Sequence, residues 1–152
     1  MIQVKDIVKS FDGNLVLNHV SANFEDGKVN MIIGQSGSGK TVLMKSMIGL
    51  HQIDGGEIVF DTRAGQQNLA GMTEKEVRML HREVGMLFQG AALFDSMTVQ
   101  ENVMYPLEMF SDMSHEQMVE RARFCLQRVD MPERAFSLMP SEISGGMQKR
   151  VA

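Results

Sequence analysis

The sequence has 152 residues and a formal net charge of -4, a size that fits one domain or slightly less than one. Hydrophobic residues make up 43% and charged residues 22%, a balance that excludes wholesale disorder, and no apolar stretch is long enough to span a bilayer. The acidic balance disfavours nonspecific nucleic-acid binding, and the single Cys125 with no signal-peptide pattern fits a reducing cytosol.

The N-terminal third predicts short strands separated by turns. Residues 2–8 and 15–24 flank Asp12-Gly13-Asn14, a sequence typical of a tight hairpin turn. Residues 29–33 are mostly apolar, which predicts a strand covered on both faces. From Gly39 onward apolar residues recur at helical spacing. A strand, a glycine-rich turn and a helix in this order open a βαβ unit.

The rest of the chain predicts two more strands and several helices. Residues 57–60 and 84–88 are strand candidates, and the polar residues 62–71 between them are expected to form a surface loop. Three capping-box patterns predict helix starts: Thr73 with Glu76, Thr98 with Glu101, and Ser114 with Gln117. The N-terminal portion is rich in predicted strands, whereas residues 98–130 have a helical pattern. We therefore predict a mixed α/β core that carries a helical subdomain.

The strongest functional signal is a glycine-rich segment between a predicted strand and a predicted helix. Glycines let backbone N–H groups crowd around phosphate oxygens, and the helix that follows offers the same anion its positive end. Lys40 would reach the β- and γ-phosphates, and the Thr41 hydroxyl would bind Mg²⁺. The sequence therefore predicts a nucleotide-binding loop over Gly34-Gln35-Ser36-Gly37-Ser38-Gly39-Lys40-Thr41.

A second anion-binding candidate lies more than a hundred residues later. Ser144 is placed to cap a helix that begins near Met147, and Gly145 and Gly146 would expose backbone amides at its positive end. Taken alone, this pattern also fits an ordinary helix start.

In this order the motifs resemble those of the nucleotide-binding subunits of ABC transporters, over almost the whole chain. Phe11 stands where that family places an aromatic residue that stacks on adenine, although a core role for Phe11 is the alternative. Gln89 is similar to the family's Q-loop glutamine, which reaches Mg²⁺ and the attacking water. Residues 143–147 look like the signature motif, usually Leu-Ser-Gly-Gly-Gln, from which Ile143 and Met147 depart.

The resemblance implies a P-loop NTPase fold with ATP and Mg²⁺ as ligands. Residues 1–89 would form the N-terminal part of a RecA-like core with antiparallel strands, and residues 90–152 a helical subdomain. Lys40 and Gln89 would be catalytic, with Thr41 and Gln89 at the metal. Two subunits would sandwich ATP between the P-loop of one and the signature motif of the other.

The same resemblance implies the partners and the location. A membrane permease subunit would bind the homodimer at the cytoplasmic face of the cell membrane, and no nucleic acid is expected. Residues 87–107 and the methionine that ends the signature motif are similar to the Mla/Mce-type branch. That branch drives traffic of phospholipid or other hydrophobic solutes between bacterial membranes.

Some family motifs do not occur within the 152 residues. The family next has an apolar strand ending in Asp, a catalytic Glu and a switch His. We therefore expect this chain to be the N-terminal portion of a longer ATPase, incomplete at the C-terminus and nearly inactive alone. The alternatives are a soluble ABC-type ATPase outside a transporter and a module that binds nucleotide without hydrolysing it.

Overall fold

The computed structural model describes residues 1–62 and 65–152, and the contacts divide them into two compact units. The N-terminal unit is Met1–Gly85 and the C-terminal unit is Met86–Ala152. Arg63 and Ala64, part of the loop predicted over residues 62–71, lie outside the described residues. The predicted functional division after residue 89 stays a prediction.

An antiparallel four-stranded sheet forms the N-terminal unit, in the order β2-β1-β3-β4. Its strands are β1 (Ile2–Phe11), β2 (Asn14–Phe24), β3 (Gly55–Thr62) and β4 (Gly65–Asn68). The predicted hairpin turn is present: Asp12 has φ 49° and Gly13 has φ 81°, and a type I′ turn needs positive φ at both central positions. The prediction of a loop throughout 62–71 is wrong, because β4 pairs with β3.

Two helices contribute to the core of this unit, α1 (Lys40–Met47) and α2 (Glu74–Glu83). Buried residues of the two helices and the sheet form one apolar cluster: Val4, Ile7, Leu17, Leu43, Met47, Ile58, Phe60 and Leu80. The capping box predicted at Thr73 starts α2, with the Thr73 backbone N–H donating to Glu76 at 2.7 Å. Helix α1 stops three residues before Leu50, because Gly49 adopts φ 76° and closes the helix end.

Residues 29–33 and 84–88, the two segments predicted to be buried strands, form no strand. Val29 is 95% exposed and Leu87 is 55% exposed, whereas Ile32 packs against the core. A strand exists through hydrogen bonds to a neighbouring strand, and none of the four strands in the described residues pairs with either segment. Apolar composition alone was therefore not enough to make them strands.

Three helices form the C-terminal unit: α3 (Val99–Phe110), α4 (His115–Arg128) and α5 (Gly145–Val151). The predicted capping boxes at Thr98 and Ser114 both form. Thr98 donates hydrogen bonds to Glu101 from its backbone N–H and its hydroxyl, and these lower the pKa of that carboxyl. The helices enclose a second apolar cluster: Val99, Leu126, Met131, Ala135, Phe136 and Ile143. Within residues 1–62 and 65–152, no helix is both long and apolar enough to cross a membrane.

Candidate functional site: phosphate loop, aromatic platform and signature turn

The glycine-rich loop ends where α1 begins, and Gly39 is the residue that joins them. Gly39 has φ 88°, and a side chain there would place its Cβ 3.1 Å from the Val16 carbonyl oxygen of β2. Only glycine tolerates both this backbone conformation and this approach to a neighbouring strand. Residues 33–38 are exposed, so the sheet fixes the helix end while the loop stays open to a ligand.

Lys40 folds back over this loop. Its ammonium group donates to the carbonyl oxygens of Gly34 at 2.8 Å and Gln35 at 2.6 Å. An ammonium group carries three N–H donors, so it holds the loop closed with two and keeps a third for a bound anion. A cation thus lies beside a glycine-rich loop at the N-terminus of a helix, a combination that suits a phosphate chain.

Thr41 follows on the first turn of α1, and its side chain is exposed. Its hydroxyl, like the side-chain amide oxygen predicted to join it from Gln89, is a hard oxygen donor. Mg²⁺ prefers such ligands and keeps several of its waters when it binds nucleotide phosphates. The residues present therefore fit the predicted ion.

Phe11 ends β1 next to the hairpin turn, and its ring contacts two other side chains. The Phe11 and His51 rings meet edge to face with centroids 5.3 Å apart, and the Lys9 ammonium lies 5.1 Å from the Phe11 centroid. Phe11 is 38% exposed, which argues against the alternative of a core residue. An aromatic face in this position is able to stack on a flat base.

Asp54 anchors this aromatic group to the sheet. Its carboxylate accepts hydrogen bonds from the Lys9 ammonium at 2.8 Å and the Ser10 backbone N–H at 2.6 Å. These donors, Lys9 first, lower the pKa of the Asp54 carboxyl. In turn the Asp54 backbone N–H donates to the Val8 carbonyl at 2.8 Å, so residues 8–11 are tied to the segment before β3.

Gln89 lies in the C-terminal unit, in an exposed turn that precedes a strained segment. Ala91 and Ala92 follow with φ 61° and φ 55°, a left-handed conformation that costs alanine about 1–2 kcal/mol per residue. Because the polar end of Gln89 is exposed, its amide is available to a ligand.

The signature-like turn also lies in the C-terminal unit. Ser144 is the N-cap of α5 and accepts a hydrogen bond from the Met147 backbone N–H at 3.3 Å, as predicted. Ile143 is buried in the apolar cluster and anchors the turn. Apart from the chain neighbours and the backbone of α5 itself, no atom of the described residues lies within 4 Å of a Cβ built on Gly145 or Gly146. The internal packing therefore does not require glycine at either position.

The structure thus distributes the predicted site residues over two units. Phe11 and residues 34–41 lie in the N-terminal unit, whereas Gln89 and residues 144–146 lie in the C-terminal unit. No sequence pattern marked Lys9 or His51 as a site residue. Lys9 lies two positions before Phe11 on the same strand, so the two side chains are neighbours along β1. The proximity of His51 to Phe11 depends instead on β1 lying beside the segment that leads into β3.

The fold is that of a P-loop NTPase, as solved structures of ATP-binding cassettes confirm. One is the dimeric post-hydrolysis state of the ATP-binding cassette MJ0796 bound to ADP and Pi. It is 29% identical in sequence and superposes with a TM-score of 0.87. The superposition includes 99% of this chain and 66% of that cassette. The family model described as ABC transporter matches residues 17–152. The chain therefore belongs to the ABC transporter family.

Curated relatives share this family and differ in what their names describe. Protein TRIGALACTOSYLDIACYLGLYCEROL 3, chloroplastic, of Arabidopsis thaliana is 38% identical over all of this chain and 42% of its own length. The glutamine transport ATP-binding protein GlnQ of Escherichia coli K12 is 36% identical over all of this chain and 61% of its own length. A methionine import ATP-binding protein, MetN of Clostridium tetani, is 34% identical over all of this chain and 46% of its own length. The chain spans about half the length of the curated relatives it matches.

Proposed function

We propose that the whole protein carrying this chain is the ATP-binding and ATP-hydrolysing subunit of a membrane transporter. The observation that carries the proposal is the exposed glycine-rich loop over residues 34–41, where the Lys40 ammonium lies against the loop at the start of α1. Residues 1–89 would supply the N-terminal part of the ATP-binding core, and residues 90–152 the helical subdomain. The family match over residues 17–152 supports this assignment.

In this function the side chains of the loop bind and orient the triphosphate. Lys40 would donate a hydrogen bond from its third N–H group to the β- and γ-phosphates. The loop amides would neutralise the remaining phosphate charge. Thr41 and Gln89 would hold Mg²⁺, which neutralises charge on the phosphate oxygens when it is bound. Phe11 would stack on adenine and fix the base end of the nucleotide.

The second half of the site would come from a second subunit. The open space at Gly145 and Gly146 supports this proposal, because glycine there leaves room for a partner's nucleotide rather than for internal packing. Ser144 would meet the γ-phosphate held by Lys40 of the other subunit. Loss of that phosphate on hydrolysis would remove the bridge and let the dimer open, which would drive the membrane partner.

A cavity in the C-terminal unit supports a permease contact. It measures about 380 Å³ and follows the segment after Gln89. Its walls include Phe88, Ala91, Ala92, Phe94, Tyr105 and Pro106. The Phe94 and Tyr105 rings pack with centroids 4.7 Å apart, which gives the cavity a rigid aromatic wall. The subunit would accordingly sit peripherally at the cytoplasmic face of the membrane.

For the transported substrate we propose a lipid or another hydrophobic solute. Residues 87–107 and Met147 are similar to the Mla/Mce-type branch, and a relative 38% identical to the chain bears the name of a glycolipid, trigalactosyldiacylglycerol. A polar nutrient is the second candidate, because other relatives are named for import of methionine or phosphonates or for transport of glutamine.

Replacing Lys40 tests the nucleotide site. We expect Lys40→Ala to reduce ATP affinity about a hundredfold, because charge-assisted hydrogen bonds to phosphate are lost. Isothermal titration of the whole protein with Mg²⁺-ATP measures the change, and Lys45→Ala, on the same helix outside the loop, is the matched control. Equal ATP affinity in the Lys40→Ala variant and the unchanged protein would contradict the proposal.

A reconstituted transporter distinguishes lipid from nutrient. The whole protein, purified with its membrane partners, is placed in phospholipid nanodiscs and its ATPase rate is measured while methionine, glutamine, a phosphonate or extra phospholipid is added. We expect phospholipid to change the rate severalfold and the soluble nutrients to leave it unchanged. Stimulation by a soluble nutrient alone would overturn the lipid assignment and leave the ATPase assignment intact.

A further inference from the structure

The contacts around Phe11 extend the proposed nucleotide site by two residues that no motif identifies. The Lys9 side chain is only 14% exposed, and its ammonium is fixed by the hydrogen bond to Asp54 while it lies 5.1 Å from the Phe11 centroid. The His51 ring meets the same ring at an interplanar angle of 76°. One ring at the end of a strand is therefore restrained by a cation and by a second aromatic ring.

These contacts bring together chain segments that are distant in sequence. Lys9 and Phe11 belong to β1, whereas His51 and Asp54 belong to the connection between α1 and β3. That connection begins at the end of the helix whose other end carries Lys40. His51 therefore joins the Phe11 ring to the segment that follows α1, the helix proposed to bind the triphosphate.

We propose that Lys9 and His51 are positioning residues that hold the Phe11 ring in the orientation in which it stacks on adenine. This inference rests on the proposed nucleotide-binding function. A ring with rotational freedom must lose that freedom when the base binds, whereas a ring already restrained does not, so the restraint strengthens binding of the base. The triphosphate end is bound by other residues and gains nothing from it.

The test compares ATP with inorganic tripolyphosphate, which has the charged chain without the base. We expect His51→Ala to weaken ATP binding about threefold to tenfold in the whole protein, since an aromatic edge contact of this kind is lost. Tripolyphosphate affinity should change by less than about twofold, because the phosphate contacts remain. Lys9→Met, which keeps the apolar stem and removes the cation, should give the same pattern with a smaller effect.

Two further variants and two matched controls make the assignment specific. His51→Phe should restore ATP affinity because it keeps the aromatic contact. In a protein that already carries Phe11→Ala, replacing His51 should have no further effect on ATP affinity. The matched controls are Lys5→Met, on the same strand, and His115→Ala, on an exposed helix start; both should bind ATP and tripolyphosphate normally.

The outcomes separate this inference from the function on which it rests. Equal weakening of ATP and tripolyphosphate by His51→Ala would mean general damage to the fold and would overturn the positioning role. The positioning role would also be overturned if His51→Ala left ATP affinity unchanged while Phe11→Ala weakened ATP binding. That result would leave the proposed nucleotide site intact. If the unchanged whole protein bound neither ligand, the proposed function itself would fail.

Discussion

Gly56→Ala is expected to lower the free energy of unfolding of the N-terminal unit by about 3 kcal/mol or more. Gly56 has φ 86°, and a Cβ there would lie 2.5 Å from the Lys5 carbonyl oxygen and closer still to that of Asp6. Both contacts are with backbone atoms of β1, so neither is relieved by rotating a side chain. Relief requires β3 to move away from β1, which breaks their hydrogen bonds.

A second glycine serves as a control that distinguishes the cost of the steric clash from the cost of the left-handed backbone conformation. Gly13 has a similar φ of 81°, but apart from its two chain neighbours no atom of the described residues lies within 4 Å of its Cβ position. Gly13→Ala should therefore cost only the left-handed conformation, about 1–2 kcal/mol. Urea unfolding followed by far-ultraviolet circular dichroism measures both variants. Equal losses for the two would show that the approach of β3 to β1 is looser than the structure indicates.

Gly146→Ala is expected to keep the fold and abolish activity. Nothing in the described residues occupies the space of the new methyl group, and alanine is a better helix former than glycine by about 1 kcal/mol. The C-terminal unit should therefore be as stable as before or slightly more stable. ATP hydrolysis by the whole protein should fall about a hundredfold, because the methyl group would hold the partner's nucleotide away from Ser144.

The measurement pairs urea unfolding with the steady-state ATPase rate. Gly71→Ala is the matched control, since Gly71 also has open space at its Cβ position and lies outside every motif. It should leave the ATPase rate unchanged. Full ATPase activity in Gly146→Ala would contradict the role proposed for residues 144–146 in a shared site, whereas loss of the fold would contradict the open space seen there.

Local sequence signals determined much of this chain. The hairpin turn at residues 12–14 and the three capping boxes depend on residues a few positions apart, so the sequence alone predicts them correctly. The position of the glycine-rich loop before α1 was predicted on the same local basis, and its binding of phosphate stays a prediction. The capping role of Ser144 was predicted on the same basis.

Tertiary structure decided what depends on distant neighbours. Apolar residues at 29–33 and 84–88 predicted strands, but a strand requires a partner's N–H and C=O groups, and the described sheet offers none to them. The polar residues 65–68 predicted a loop, yet they form a strand because β3 supplies those groups. His51 reaches Phe11, and Asp54 reaches Lys9, only because β1 lies beside the segment that leads into β3. Local patterns thus specify turns, caps and the glycine-rich loop before α1, whereas hydrogen-bonded pairing of distant segments decides which residues become strands and brings His51 and Asp54 beside the end of β1.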